Sequence, residues 1–416
     1  MDAGWSRVGK VEVRSHLDRA PRNRKLRIAK VTLATKTWRL QMKIISLFNN
    51  KGGVGKSTLG FHLGCALGEL GKKVLLIDLD PQCNMTISGI FEEKLHQIWQ
   101  EEDSFIDDYG SAVEKEGLEA ILSKPRSIHF LLKPTEDGLN ELMEYPPVIK
   151  LYENVDLIPG RLSLHKYENK LAERWNGLYQ SDNLSIRTVT NIRRICDVYG
   201  NINKYDYVLM DTSPSLGILN KVIISTVDGF IIPALPDMFS IYGIRNIGSS
   251  LQQWQREFET IYKLISEDKR ARFPKRFVQF LGYTIYNAKK QSKDLNEYDL
   301  ATAHYAYVKE MPMVVDRYIM SQNRAPVANI MEPIGGAAVM HSHNTFPAVA
   351  QALRCPMWLV PQTYGEFKKT KPEFLDTLLV EKPNQGFYGK YRETKENYRI
   401  FAEEFIGRTE VLTNGT

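Results

Sequence analysis

"NNKGGVGKST", residues 49–58, decides how the rest of this 416-residue chain is read. It follows a short apolar run of strand formers, "MKIISLF" (42–48). It precedes "STLGFHLGCALGELG" (57–71), whose apolar residues recur at helical spacing up to a stop at Gly71. Strand, glycine-rich loop and helix in that order are the setting of the phosphate loop G-x-x-x-x-G-K-[ST]. Gly55, Lys56 and Ser57 fit that pattern; Asn50 stands at the first glycine position, and Gly52 and Gly53 compensate. Glycines there let backbone N–H groups turn toward phosphate oxygens, and the helix N-terminus adds a favourable dipole. The pattern assigns Lys56 to the β- and γ-phosphates and the Ser57 hydroxyl to Mg²⁺. It does not account for Lys51.

Outward from the loop, "KKVLLIDLD" (72–80) is a second buried strand ending in two carboxylates. "NVDLIPG" (154–160), "YDYVLMDTSPS" (205–215), "DGFIIPALP" (228–236) and "KRFVQFLGYTIYN" (275–287) each read as a strand running into a loop. "RCPMWLVP" (354–361) is a candidate for the last strand. The expected fold is α/β, a doubly wound, mostly parallel sheet flanked by helices, with helical insertions. Residues 90–150 are acidic, aromatic and irregular, an insertion of helices and loops over one edge. A closing helix over 391–407 puts Tyr391, Tyr398, Phe401, Ala402 and Phe405 on one face, a core stripe rather than a membrane anchor. With no repeat and no Gly/Ser linker, residues 42–416 are expected to form one domain.

The charge is uneven. Residues 1–41 hold 11 Lys/Arg and 3 Asp/Glu, whereas the remaining 375 hold 44 and 46, so the net charge of +6 belongs to the N-terminal arm. That arm is expected to be disordered and dispensable, an upstream extension of the reading frame; the competing reading is a DNA-binding arm. Cys65, Cys83, Cys196 and Cys355 are widely spaced, which suggests a reducing cytosol and argues against zinc or iron–sulfur sites. The absence of paired cysteines also disfavours a reductase with a bridging cluster. His62, His165, His341 and His343 lack metal-site spacing.

"KGGVGKST" with its early lysine resembles the deviant Walker A motif of the ParA/MinD-type ATPases. The likeness continues through "VLLIDLDPQCNMT" (74–86), "LIPG" (157–160), "YDYVLMDTSPSLG" (205–217) and "IIPALPDMFSIYGI" (231–244), and lies nearest the ParA branch. The resemblance implies a Mg²⁺-dependent ATPase that dimerises around two ATP molecules, with Lys51 crossing to the phosphates held by the other subunit. The implied nucleotide-binding set is Lys51, Gly52, Gly53, Val54, Gly55, Lys56, Ser57, Thr58 and Asn287. Asn287 would contact adenine, although a plain turn asparagine reads nearly as well. Lys51, Lys56 and Asp80 are the implied catalytic residues, with Asp80 orienting the attacking water. Ser57, Asp78 and Asp211 are the implied metal set; Asp211 ends an apolar strand as a Walker B aspartate does. Strand or turn capping remains the alternative for Asp78 and Asp80. Cys83 stands where the family often has glycine.

Relatives of this kind bind DNA non-specifically as ATP-loaded dimers and are stimulated by an adaptor protein. The implied role is DNA partitioning in the bacterial cytoplasm, on the nucleoid. The alternative is a regulatory or assembly ATPase that acts on a protein partner without DNA. The candidate DNA patch is "KRARFPKRF" (269–277), against a solvated helix end; Lys368, Lys369 and Lys371 form a weaker one. The polar ending "EVLTNGT" argues against a membrane-binding helix.

Overall fold

Why the phosphate loop is held so firmly follows from the strand beneath it. In the computed structural model, which describes residues 42–288, 290, 296–341, 345–378, 380, 382–383 and 385–412, β1 (Lys43–Leu47) lies mid-sheet. Its side chains alternate: Ile44 joins the apolar core on one face, Ile45 and Leu47 the core on the other. Such continuous apolar runs are what a parallel strand covered on both faces requires. The arm expected over 1–41 lies outside the described residues.

The other strands are β2 (Val74–Leu79), β3 (Ile149–Tyr152), β4 (Val155–Ile158), β5 (Tyr207–Thr212), β6 (Gly229–Ala234) and β7 (Gln279–Ile285). They form one sheet in the order β3-β4-β2-β5-β1-β6-β7, parallel except for the β3–β4 pair. The doubly wound, mostly parallel sheet expected from the sequence is therefore present. Asp211 pairs in register with Leu47 on one side and Asp78 on the other, so both carboxylate strands lie on the same side of β1. Chain order reverses there, and such switch points open crevices at the carboxyl ends of strands.

The helix α1 (Lys56–Glu69) lies close against the sheet because Gly60, Gly64 and Gly68 face it. A Cβ at these positions would come within 2.6 Å of Met85, 2.6 Å of Leu76 and 2.5 Å of Val155. After β2 come α2 (Asn84–Gly89) and α3 (Glu92–Asp107), then shorter helices up to Glu136. The region 90–150 is thus helical but not peripheral: Phe105 and Ile106 share a core with Leu75 and Ile77 of β2. It also supplies β3, whose four residues are too short to stand out as a strand.

The expected strand over 354–361 is a correction. Arg354 is left-handed, Met357–Leu359 is a 3-10 turn, and the helix Val360–Thr370 starts there with Pro361 in its first turn. Pro356 and Pro361 cannot donate to a ladder, which removes this apolar run from the sheet. The helix Tyr388–Glu410 buries all five residues of the expected closing stripe. Among the described residues, no helix is long and apolar enough to cross a membrane.

Candidate functional site

The loops after β1, β2, β5 and β7 surround a cleft of about 760 Å³. Gly52 through Thr58, Asp80, Tyr286 and Asn287 line it, with Pro347, Gln351 and Cys355 from the C-terminal region opposite. Gly53 and Gly55 have φ of 73° and 81°, the left-handed backbone that lets successive N–H groups face one concavity. Gly55 also has no room for a side chain: a Cβ there would sit 2.4 Å from the Tyr286 ring. Gly55 caps α1 without any side-chain acceptor, and no acidic residue occupies the first turn. The positive end of α1 therefore meets the cleft with no side-chain cap and no acidic residue in its own first turn.

Lys56 is buried at 6% exposure, with its Nζ 3.3 Å from the Lys51 carbonyl. Burial lowers its pKa, against the opposing pull of Asp211 and Asp80. Lys51 is turned away: its ammonium pairs with Asp237 and lies 5.4 Å from the centroid of the Phe239 ring. Its backbone N–H donates to Asn49 Oδ1 at 2.9 Å, and Asn49 Nδ2 donates to the Pro233 carbonyl at 2.7 Å. Asp237 caps the helix Met238–Leu264 through a 2.9 Å bond from Ser240 N. Burial pushes the Asp237 carboxyl up, but the bonds from Lys51 and Ser240 outweigh it and hold the group below its ordinary value. The sequence reading missed Asn49 and Asp237. The spacing Asp237-x-x-Ser240 signals a cap, yet nothing local ties it to a lysine 186 positions away.

The three carboxylates occupy distinct environments. Asp80 lines the cleft, and its Oδ1 accepts the Gln82 N–H at 3.0 Å. Asp78 is fully buried and already satisfied: Oδ1 accepts Asp80 N (3.1 Å), and Oδ2 accepts Thr86 N (2.8 Å) and Thr86 Oγ1 (2.7 Å). Burial raises its pKa to about 6, against those hydrogen bonds. These contacts tie Asp78 to the loop after β2, through Asp80 N, and to α2, through Thr86. Asp211 is fully buried with Oδ2 unpartnered. Burial and the nearby negative charge of Asp78 push its pKa well up, opposed by a hydrogen bond from Ser57 and by Lys56. A buried, unpartnered carboxylate oxygen beside the Ser57 hydroxyl fits a divalent cation. Among the described residues, no group of His, Cys, Asp and Glu forms a metal cage, so such a cation would draw further oxygens from phosphate and water.

Cys83 adopts φ 57°, the conformation glycine would take at no cost, and its buried thiol is pushed far up in pKa by burial. Asn287 has φ 59°, is exposed and borders the cleft. His62, read from the sequence only as lacking metal-site spacing, joins α1 to the segment after Pro356. One ring nitrogen is 2.7 Å from the Thr58 carbonyl and the other accepts the Met357 N–H at 3.1 Å. Burial lowers its pKa to about 4. A neutral His62 thus stabilises the fold above the ordinary histidine value, and that stability is lost as pH falls toward 4. Urea midpoints should show up to ~3 kcal/mol lost over that window, and His62→Gln should flatten the dependence. Equal pH slopes in the two proteins would refute this.

The candidate DNA patch is largely occupied within the fold. Lys269 Nζ donates to Ser181 O at 2.7 Å, Arg270 donates to the carbonyls of Ile265 and Lys263, and Arg272 pairs with Glu141 at 2.6 Å. Lys275 and Arg276 are exposed. These cations precede β7, at the end of the sheet opposite the cleft. Lys368, Lys369 and Lys371 are exposed around the C-terminus of the helix Val360–Thr370, where cations offset its dipole.

Comparison with known proteins agrees with this geometry. A family model described as AAA domain matches residues 42–264. The chain is 27% identical over 218 residues to the sporulation initiation inhibitor protein Soj of Bacillus subtilis, covering 52% of this chain and 68% of that one. It is 28% identical over 208 residues to a virulence plasmid ParA family protein of Chlamydia psittaci, covering 50% and 62%. The solved structure of pnob8 ParA superposes with a TM-score of 0.51 at 19% identity, over 89% of this chain and 99% of that one, a likeness of fold. The chain spans about half the length of the first curated relatives it matches, 49% in each case. Taken with the loop, the sheet order and the carboxylates, the match over more than half of the sequence shows that the chain belongs to the ParA/MinD-type P-loop ATPases.

Proposed function

We propose that this chain binds ATP with Mg²⁺, hydrolyses it, and uses the cycle as a dimerisation switch in DNA partitioning. The observation that carries the reading is one juxtaposition. A left-handed glycine loop with a buried Lys56 faces Asp80 and an Asp211 oxygen without a partner, all at the carboxyl ends of adjacent strands. The loop amides, the α1 N-terminus and Lys56 hold the β- and γ-phosphates. Ser57 and Asp211 would hold Mg²⁺, which would supply charge neutralisation on those phosphates. Asp80 orients a water for in-line attack on the γ-phosphorus. The water oxygen forms the new P–O bond, the bond to the bridging oxygen breaks with its electron pair leaving on ADP, and the water protons pass to phosphate and solvent. Asn287, which borders the cleft, is proposed to face the adenine base.

The dimer places Lys51 on the partner's nucleotide, which requires it to leave Asp237. Duplex DNA is the proposed track, an adaptor protein the proposed trigger of hydrolysis, and the bacterial cytoplasm the proposed setting. The second reading, control of a protein partner without DNA, is favoured by one finding: Lys269, Arg270 and Arg272 are already engaged inside the fold. The test is a gel shift on non-specific duplex with and without ATP, paired with size measurement of wild type and Lys51→Ala. Wild type should dimerise and bind duplex only with ATP. Lys51→Ala should bind ATP within about threefold of wild type yet remain monomeric. Dimerisation without DNA binding would select the second reading, and ATP-dependent dimers of Lys51→Ala would remove the cross-subunit role.

A further inference from the structure

The loop after β2 that carries Asp80 does not stand alone. Asp78, which bonds the Asp80 N–H, is held through Oδ2 by Thr86 of α2. The Thr86 hydroxyl in turn accepts the Gly160 N–H at 2.8 Å. Gly160 belongs to the "LIPG" turn after β4, packed so closely that a Cβ there would lie 2.9 Å from Cys83 Sγ and 3.2 Å from Asp78 Cγ. The Gly160 carbonyl is taken from the other side, by Trp99 Nε1 of α3 at 3.0 Å. Arg161 secures the same helix: its Nη1 donates to the Trp99 carbonyl at 2.9 Å and to Glu102 Oε2 at 3.2 Å, and its guanidinium lies 5.9 Å from the Trp99 ring centroid.

We propose that Trp99 is a positioning residue for hydrolysis, acting along the chain Trp99–Gly160–Thr86–Asp78–Asp80. Every link in it is a hydrogen bond, and Thr86, Asp78 and Gly160 are buried. The links beyond Asp78 touch none of the loop amides that would hold phosphate. Loosening them shifts the water-orienting carboxylate and leaves the phosphate cradle intact. An indole N–H commonly serves only to satisfy a buried acceptor. Here the acceptor belongs to a glycine whose own N–H braces the catalytic loop, so the same bond sets the position of Asp80. The helix α3 is by this reading part of the catalytic apparatus, although it lies in the insertion.

The inference rests on the hydrolysis proposed above, and the test separates the two. Turnover, KM for ATP and melting temperature are measured on full-length wild type, Trp99→Phe, Thr86→Val and the double variant. Trp99→Phe keeps the ring contacts and removes only the donor. It should lower kcat about threefold to tenfold, since small misplacements of reacting groups are costly, with KM unchanged and the melting temperature within a few degrees. Thr86→Val, cutting the chain nearer Asp80, should lower kcat more. The double variant should match Thr86→Val, because both changes break one path. Wild-type kcat in Trp99→Phe, multiplied losses in the double variant, or a raised KM in place of a lowered kcat would each overturn the inference. If wild type binds ATP without turning it over, the hydrolysis reading itself falls.

Discussion

Lys56→Ala should abolish measurable ATP binding, with a loss of about 10²–10⁴-fold in affinity by titration of a fluorescent ATP analogue. The estimate follows from two charge-assisted hydrogen bonds to phosphate at about 1.5–3 kcal/mol each, made in a site where water competes poorly. Lys56 is the only cation in the wall of this cleft among the described residues, and it is 6% exposed. Folding should be little affected, because the lysine's burial already disfavours its charge. The check is a melting curve beside the titration. ATP affinity within threefold of wild type in a folded variant would show that the cradle binds without this lysine.

Asp80→Ala should give the opposite pattern: ATP bound as in wild type, turnover down by about 10²–10⁴-fold, the range typical of losing a positioned acid or base. Asp80 borders the cleft, and its carboxylate accepts a hydrogen bond from Gln82 N, within its own turn. Its removal therefore spares the glycine loop. Nucleotide should remain as ATP on the protein, and the dimer should persist. Single-turnover hydrolysis monitored by phosphate release measures this directly; near-normal rates would move the water-orienting role to another group.

Much of this was legible in the sequence because it is local. β1, β2, β5, β6 and β7 are largely apolar runs of the kind a strand buried on both faces requires. The glycine loop announced itself by spacing. "RCPMWLVP" was misread because a short apolar run looks the same in a strand and in a buried turn. Its prolines were the available clue. Contacts between distant segments left no such mark. The partners Lys51–Asp237, Trp99–Gly160 and His62–Met357 are separated by 186, 61 and 295 positions. Asp78 illustrates the same limit: its spacing from Asp80 suggested a shared face, whereas its partner turned out to be Thr86, eight residues on.

The resting position of Lys51 bears on how many molecules must meet before anything happens. The pair with Asp237 is partly exposed, at 20% and 32%, so it is worth at most about 1 kcal/mol. That is small enough for thermal release, yet it holds most copies in the closed form, roughly five for each open one at the upper limit. In the proposed two-fold assembly, which uses both lysines, each side contributes the open one in about six copies, so the factor enters squared, about 36. The apparent association constant of the proposed dimer would then be lower than its contacts alone would set, by a quantity stored in a single side chain of each monomer. Assembly at a given concentration would be sensitive to that one contact, and the threshold between solitary and paired molecules would depend on Asp237 as much as on the nucleotide site.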